Sequence, residues 1–146
     1  MGNYKQGEFI PINKEKYCGQ HNPFYRSGWE EKFMKLLDTT QTVTKWGSEC
    51  IAIPYFDKAN NKPRRYFTDF YIEFEDGRRM IIEIKPYKEL QKPVQKQLKT
   101  PKQKIQYLNE MKKYITNISK WKSAVAFCKA NGIEFKILTE NGFNFF

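Results

Sequence analysis

A chain of 146 residues suits one domain and is long enough to bury a real core. Its 26 Lys and Arg outnumber 16 Asp and Glu, for a net charge of +10, and such a surplus fits polyanionic partners such as nucleic acid or an anionic membrane, or equally a protein that is simply basic. The longest apolar runs, such as Met80-Ile81-Ile82, fall far short of the roughly 20 residues that span a bilayer, so no membrane partner is expected.

Residues 1–24 mix Gly, Pro, Asn and Lys with no sustained period. They are expected to form an irregular arm ahead of one domain over 25–146. The polar amino terminus has no apolar signal core. Cys18, Cys50 and Cys128 are odd in number and widely spaced, which points to reduced thiols in a cytosolic setting. Cys18 and the single histidine, His21, are close in sequence, but two soft ligands do not make a zinc site.

A helix is expected to open sharply at Ser27, where Ser27 and Glu30 have capping-box spacing and Trp29, Phe33, Leu36 and Leu37 follow at helical period. Residues from Thr42 to Tyr55 look extended, and Asp57 to Arg65 look like a polar connection. Tyr66 to Phe74 and Arg79 to Lys85 predict a hairpin around Asp76-Gly77, ended by Pro86. A lysine- and glutamine-rich stretch fills 86–100. Ile105, Leu108, Met111 and Ile115 then predict one helix, and Trp121 to Ala130 a second, stopped by Asn131-Gly132. Ile133 to Thr139 is the last expected strand. The order of elements indicates an α/β or α+β class with a mixed sheet.

The hairpin register decides what its polar residues can do. A two-residue turn at Asp76-Gly77 would oppose Phe70 to Glu83 and put Asp69 and Glu83 on opposite faces. A three-residue loop with left-handed Gly77 shifts the pairing by one. That register gathers Phe70, Ile72, Phe74, Met80, Ile82 and Ile84 on one apolar face. It also puts Asp69, Glu83 and Lys85 together on the other. Hydrophobicity alone favours the second arrangement.

Two carboxylates and a lysine on one face suit a divalent metal and an activated water. Mg²⁺, with Mn²⁺ as a substitute, prefers carboxylate oxygens such as those of Asp69 and Glu83, with the Ile84 carbonyl as a further donor. Glu30 can complete that shell, although on the residues alone its spacing from Ser27 better explains it as a capping partner. Lys85 would hold the attacking water and stabilise the transition state. Asp69 stands out because Asp is depleted in strands, whereas Glu83 and Lys85 alone would pass for a solvated strand face. Lys88, Lys92, Lys96, Lys99, Lys102 and Lys104 are interrupted only by Glu89. Together with Arg26 they are candidate contacts to a DNA backbone, or else an ordinary solvated face. Tyr87, Tyr107, Trp46 and Trp121 fit core or hairpin positions better than base stacking.

Three segments carry a resemblance. Arg26-Ser27-Gly28-Trp29-Glu30, Tyr66-Phe67-Thr68-Asp69-Phe70 and Glu83-Ile84-Lys85 resemble the PD-(D/E)xK nuclease superfamily, on its TnsA-like branch. The resemblance implies a restriction-endonuclease-like core: a central mixed sheet flanked by helices. It implies a Mg²⁺-dependent endodeoxyribonuclease with Glu30, Asp69, Glu83 and Lys85 as its active site. Thr68 stands where the family name has proline. Over its whole length the chain is similar to the head-completion nucleases of large tailed phages. That likeness implies DNA, portal and head proteins as partners, and a location in the host cytoplasm or virion head. The alternatives are a non-catalytic head protein on the same fold and a repair or junction-resolving nuclease.

Overall fold

The computed structural model describes residues 5–95 and 97–144. Helix α1 (Gly28–Thr39) begins at Ser27, whose hydroxyl accepts the Glu30 N–H at 3.1 Å. It buries Phe33, Met34 and Leu37. Helix α2 is one uninterrupted rod, Pro101–Asn131, where the sequence suggested two. Thr100 and Gln103 form a capping box, Pro101 occupies the first turn, and Gly132 closes the far end at φ 68°. Residues 116–120, between the two expected helices, continue the rod. The Ser119 hydroxyl donates to the Ile115 carbonyl at 2.9 Å, and Asn117 and Ser119 are buried within the helix.

Five strands form the central sheet in the order β3 (Val43–Ser48), β6 (Phe70–Phe74), β7 (Arg79–Ile84), β8 (Glu134–Thr139) and β9 (Gly142–Asn144). Among the described residues of this sheet β7 and β8 are the parallel pair, and α2 lies between them in the chain. Strand β9 was not anticipated. Strands β4 (Ala52–Asp57) and β5 (Lys62–Phe67) make a separate hairpin. Much of the segment expected to be a polar connection is therefore strand β5. Its first four residues are exposed and include Pro63, which a strand at a sheet edge tolerates.

The β6–β7 register is the one-residue-shifted pairing. Phe70 opposes Ile82, Ile72 opposes Met80, and Glu73 opposes Arg79. The Phe74 N–H bonds the Arg78 carbonyl at 2.8 Å across the loop 75–77, and Gly77 sits at φ 90°. Phe70, Ile72, Met80 and Ile82 pack against α1. Ile81 and Ile137 point the other way, into a second core with Ile53, Tyr55 and Tyr66 of the β4–β5 hairpin and Trp121, Ala124 and Cys128 of α2.

The arm has little regular structure. Its elements are β1 (Gly7–Glu8), β2 (Phe24–Tyr25) and a 3-10 turn at Lys14–Lys16. It is nonetheless tied down. Phe9 and Tyr17 meet Trp46 edge-on, at centroid distances of 5.9 and 4.8 Å. The buried Asp38 carboxylate accepts the Ile12 N–H at 2.8 Å. Among the described residues, no helix is long and apolar enough to cross a membrane.

Candidate active site

Strand β5 ends at Phe67 and β6 starts at Phe70, so Thr68 and Asp69 occupy the corner between two strand systems. The Thr68 N–H bonds the Ile51 carbonyl and the Glu49 N–H bonds the Asp69 carbonyl, both at 3.1 Å. Asp69 Oδ2 then accepts the Ile84 N–H at 2.8 Å. The carboxylate thus caps the β7 backbone where β6 has not yet begun, which explains an Asp at the end of a strand.

That bond places Asp69 beside Glu83. Burial first, and the Glu83 charge second, hold the Asp69 carboxyl well above the usual carboxylate range. Glu83 is only 4% exposed, and its Oε1 has no hydrogen-bond partner. Lys85, two residues along the same strand face, is half-buried and acts on Asp69 in the opposite sense to Glu83. Tyr66 Oη and Thr68 Oγ1 are also buried without a partner, and the Glu83 charge adds to burial in pushing the Tyr66 hydroxyl up.

Glu30 arrives from the first turn of α1. One carboxylate oxygen accepts the Arg26 N–H at 2.9 Å, just outside the helix, so the capping role is real. Burial and, less strongly, the Asp69 charge raise its pKa, which places it within electrostatic reach of the pair. Arg26 itself pairs with Glu49 at 2.7 Å. Among the described residues, no three His, Cys, Asp or Glu side chains converge as a metal-binding group. The acidic set is the pair Asp69 and Glu83, with Glu30 outside that close grouping.

Sequence inspection missed Lys120. It extends from α2 over the Tyr66 ring, with Nζ 5.6 Å from the centroid. Burial lowers its pKa, Lys85 and Arg64 add to that effect, and Glu83 and Asp69 oppose it. Nothing local marks Lys120 among the many lysines of its helix. Only the docking of α2 on the β4–β5 hairpin brings it to the pair. Lys88, Lys92, Lys99, Lys102 and Lys104 are exposed along the segment that leaves Lys85 and enters α2, while Lys96 lies outside the described residues. Trp46 and Trp121 are fully buried core residues. Cys18 lies beside Cys50, not in a metal group with His21.

The donor chemistry fits a hard divalent cation. A carboxylate buried with a free oxygen beside a second acid costs several kcal/mol, and either a shared proton or a bound cation relieves it. Asp69 and Glu83 are the two acids that would hold such an ion.

A model of the TnsA-like endonuclease N-terminal domain matches residues 40–140, which include Asp69, Glu83 and Lys85 but not Glu30. The chain belongs to the TnsA-like endonuclease family. The match accounts for the restriction-endonuclease-like arrangement of a mixed sheet between helical layers, and it makes the chain an endonuclease. The chain is also 42% identical over 137 residues to the head completion nuclease of Enterobacteria phage T4, covering 93% of this chain and 91% of that protein. Asp69, Glu83, Lys85 and Lys120 all lie within the TnsA-like match, whereas Glu30 of α1 precedes it.

Proposed function

We propose that this protein is a Mg²⁺-dependent DNA endonuclease whose active site is Asp69, Glu83 and Lys85, assisted by Glu30 and Lys120. The observation that carries the proposal is the partly buried Asp69 set beside the buried Glu83, whose Oε1 is unpaired, with a lysine on the same strand face. Asp69 and Glu83 would hold the cation, with Glu30 as an outer acid and Mn²⁺ as a substitute ion. Bound there, the cation supplies Lewis acidity: it lowers the pKa of a water and offsets charge on the phosphate.

The protein's own groups do the rest. The Ile84 N–H fixes one Asp69 oxygen, which orients the other. Lys85 holds the attacking water and neutralises charge developing on the phosphate. Lys120 approaches from α2 and offers a second ammonium to the scissile or adjacent phosphate. Arg26 and the exposed lysines Lys88, Lys92, Lys99, Lys102 and Lys104 serve backbone binding, consistent with the net charge of +10. Lys96 belongs to the same run.

The phage relative is named a head completion nuclease, which supports a role in head completion. To that role we add, as part of the proposal, a location in the host cytoplasm or virion head and contact with portal or head proteins. Supercoiled plasmid incubated with the protein tests the chemistry. Nicked or linear product is expected in Mg²⁺ and none in chelator. An intact plasmid in both, from folded protein across several DNA forms, would return the chain to a non-catalytic head role.

A further inference from the structure

Two thiols far apart in sequence meet at one glycine. The Cys18 N–H bonds the Trp46 carbonyl at 2.9 Å, seating the arm against β3, and its thiol donates to the same carbonyl at 3.3 Å. Cys50 follows the turn after β3, where Glu49 adopts φ 54°. Both sulfurs crowd the space above Gly47. A Cβ there would clash with the Cys50 sulfur and lie 2.8 Å from the Cys18 sulfur. Only glycine at position 47 lets the two thiols come together. Both cysteines are exposed, whereas Cys128 is buried.

We propose that Cys18 and Cys50 form a reversible disulfide that staples the N-terminal arm to the β3–β4 turn. The oxidant is a low-molecular-weight disulfide such as oxidised glutathione. The Cys18 thiolate attacks one of its sulfurs and releases one small thiol. Cys50 then loses its proton and attacks the Cys18 sulfur, which releases the second. Two protein thiols are oxidised to one disulfide, and one small disulfide is reduced to two thiols. A hydrogen bond from the Cys50 thiol lowers the Cys18 pKa, which favours Cys18 as the attacking thiolate. The staple closes next to the site's supports. Glu49 N–H holds the Asp69 carbonyl, and the Glu49 carboxylate holds Arg26.

The inference is independent of the nuclease chemistry, and its test reads covalent structure. The native full-length protein is treated with oxidised glutathione, quenched in acid, alkylated and peptide-mapped. A Cys18–Cys50 cross-link is expected, reversed by reductant, with a rise of several degrees in Tm. Cys50→Ser should instead retain glutathione on Cys18. Buried Cys128 should stay unmodified while the fold persists. Both thiols still open to alkylation after oxidation would overturn the proposal. So would stable glutathione adducts or intermolecular dimers as the only products.

Discussion

Asp69 does two jobs with one side chain. Its Oδ2 replaces a missing strand partner for Ile84, and its charge is set against Glu83. Asp69→Ala should therefore abolish cleavage and also loosen the end of β7, whereas Asp69→Asn keeps a group that can accept the Ile84 N–H. Asn should thus restore much of the lost Tm but none of the activity, a split that thermal melts beside a plasmid assay would expose. Lys120 offers a second residue-scale check. Lys120→Met should slow cleavage by about 100-fold, the low end of the range for one electrostatic contact to a developing charge. Lys120→Arg should recover part of the rate. An unchanged rate in the Met variant would leave Lys120 as packing for Tyr66 alone.

At the scale of elements, Asp57 joins β4 to α2. It is fully buried, accepts the Thr116 hydroxyl at 2.9 Å and the Asn60 amide at 2.8 Å, and pairs with Arg64 at 3.4 Å. Burial pushes its pKa up, but those hydrogen bonds and the N–H groups of Ala59 and Asn60 outweigh it and hold the carboxyl at about 2. A carboxyl depressed in the folded state adds stability that is complete above its unfolded pKa of about 4. That stability is lost as pH falls from there through 2. Asp57→Ala should cost about 2–4 kcal/mol at neutral pH and remove this acid-sensitive step, as urea melts at several pH values would show. The β6–β7 loop makes a cleaner case. A Cβ at Gly77 meets nothing, so the roughly 1 kcal/mol expected for Gly77→Ala comes from φ 90° alone. The hairpin register was legible because six apolar residues shared one parity. The β5 strand was not, since its Lys-Pro-Arg-Arg start carries no apolar alternation and is fixed by pairing with β4. The unbroken α2 was hidden for a related reason: Thr116 and Ser119 find partners only in the folded structure.

For the whole molecule, the sheet is the partition. One face, with α1 and the arm, holds the core around Phe70 and Ile82, and the other, with α2 and the β4–β5 hairpin, holds the core around Ile81. The acidic pair lies on the α2 side at the end of β7; the shared face of Glu83 and Lys85 is a local two-residue pattern, whereas Lys120 reaches it only through the packing of α2. Outside this partition, exposed lysines run from Lys88 into the start of α2. Replacing Lys88, Lys92 and Lys99 with Gln should reduce the slope of log affinity against log salt by up to about 3 for duplex DNA. An unchanged slope would make that segment a plain solvated face.

The most direct measurement is the Mg²⁺-dependent cleavage rate of Lys85→Ala against the parent chain, at matched Tm and DNA affinity. Lys85 makes its backbone bond to Leu138 through the N–H, so truncating the side chain leaves the β7–β8 pairing in place. A loss of at least about 100-fold, with folding and binding retained, is the predicted result. Cleavage at the parent rate would contradict the assignment of Asp69, Glu83 and Lys85 as the hydrolytic centre.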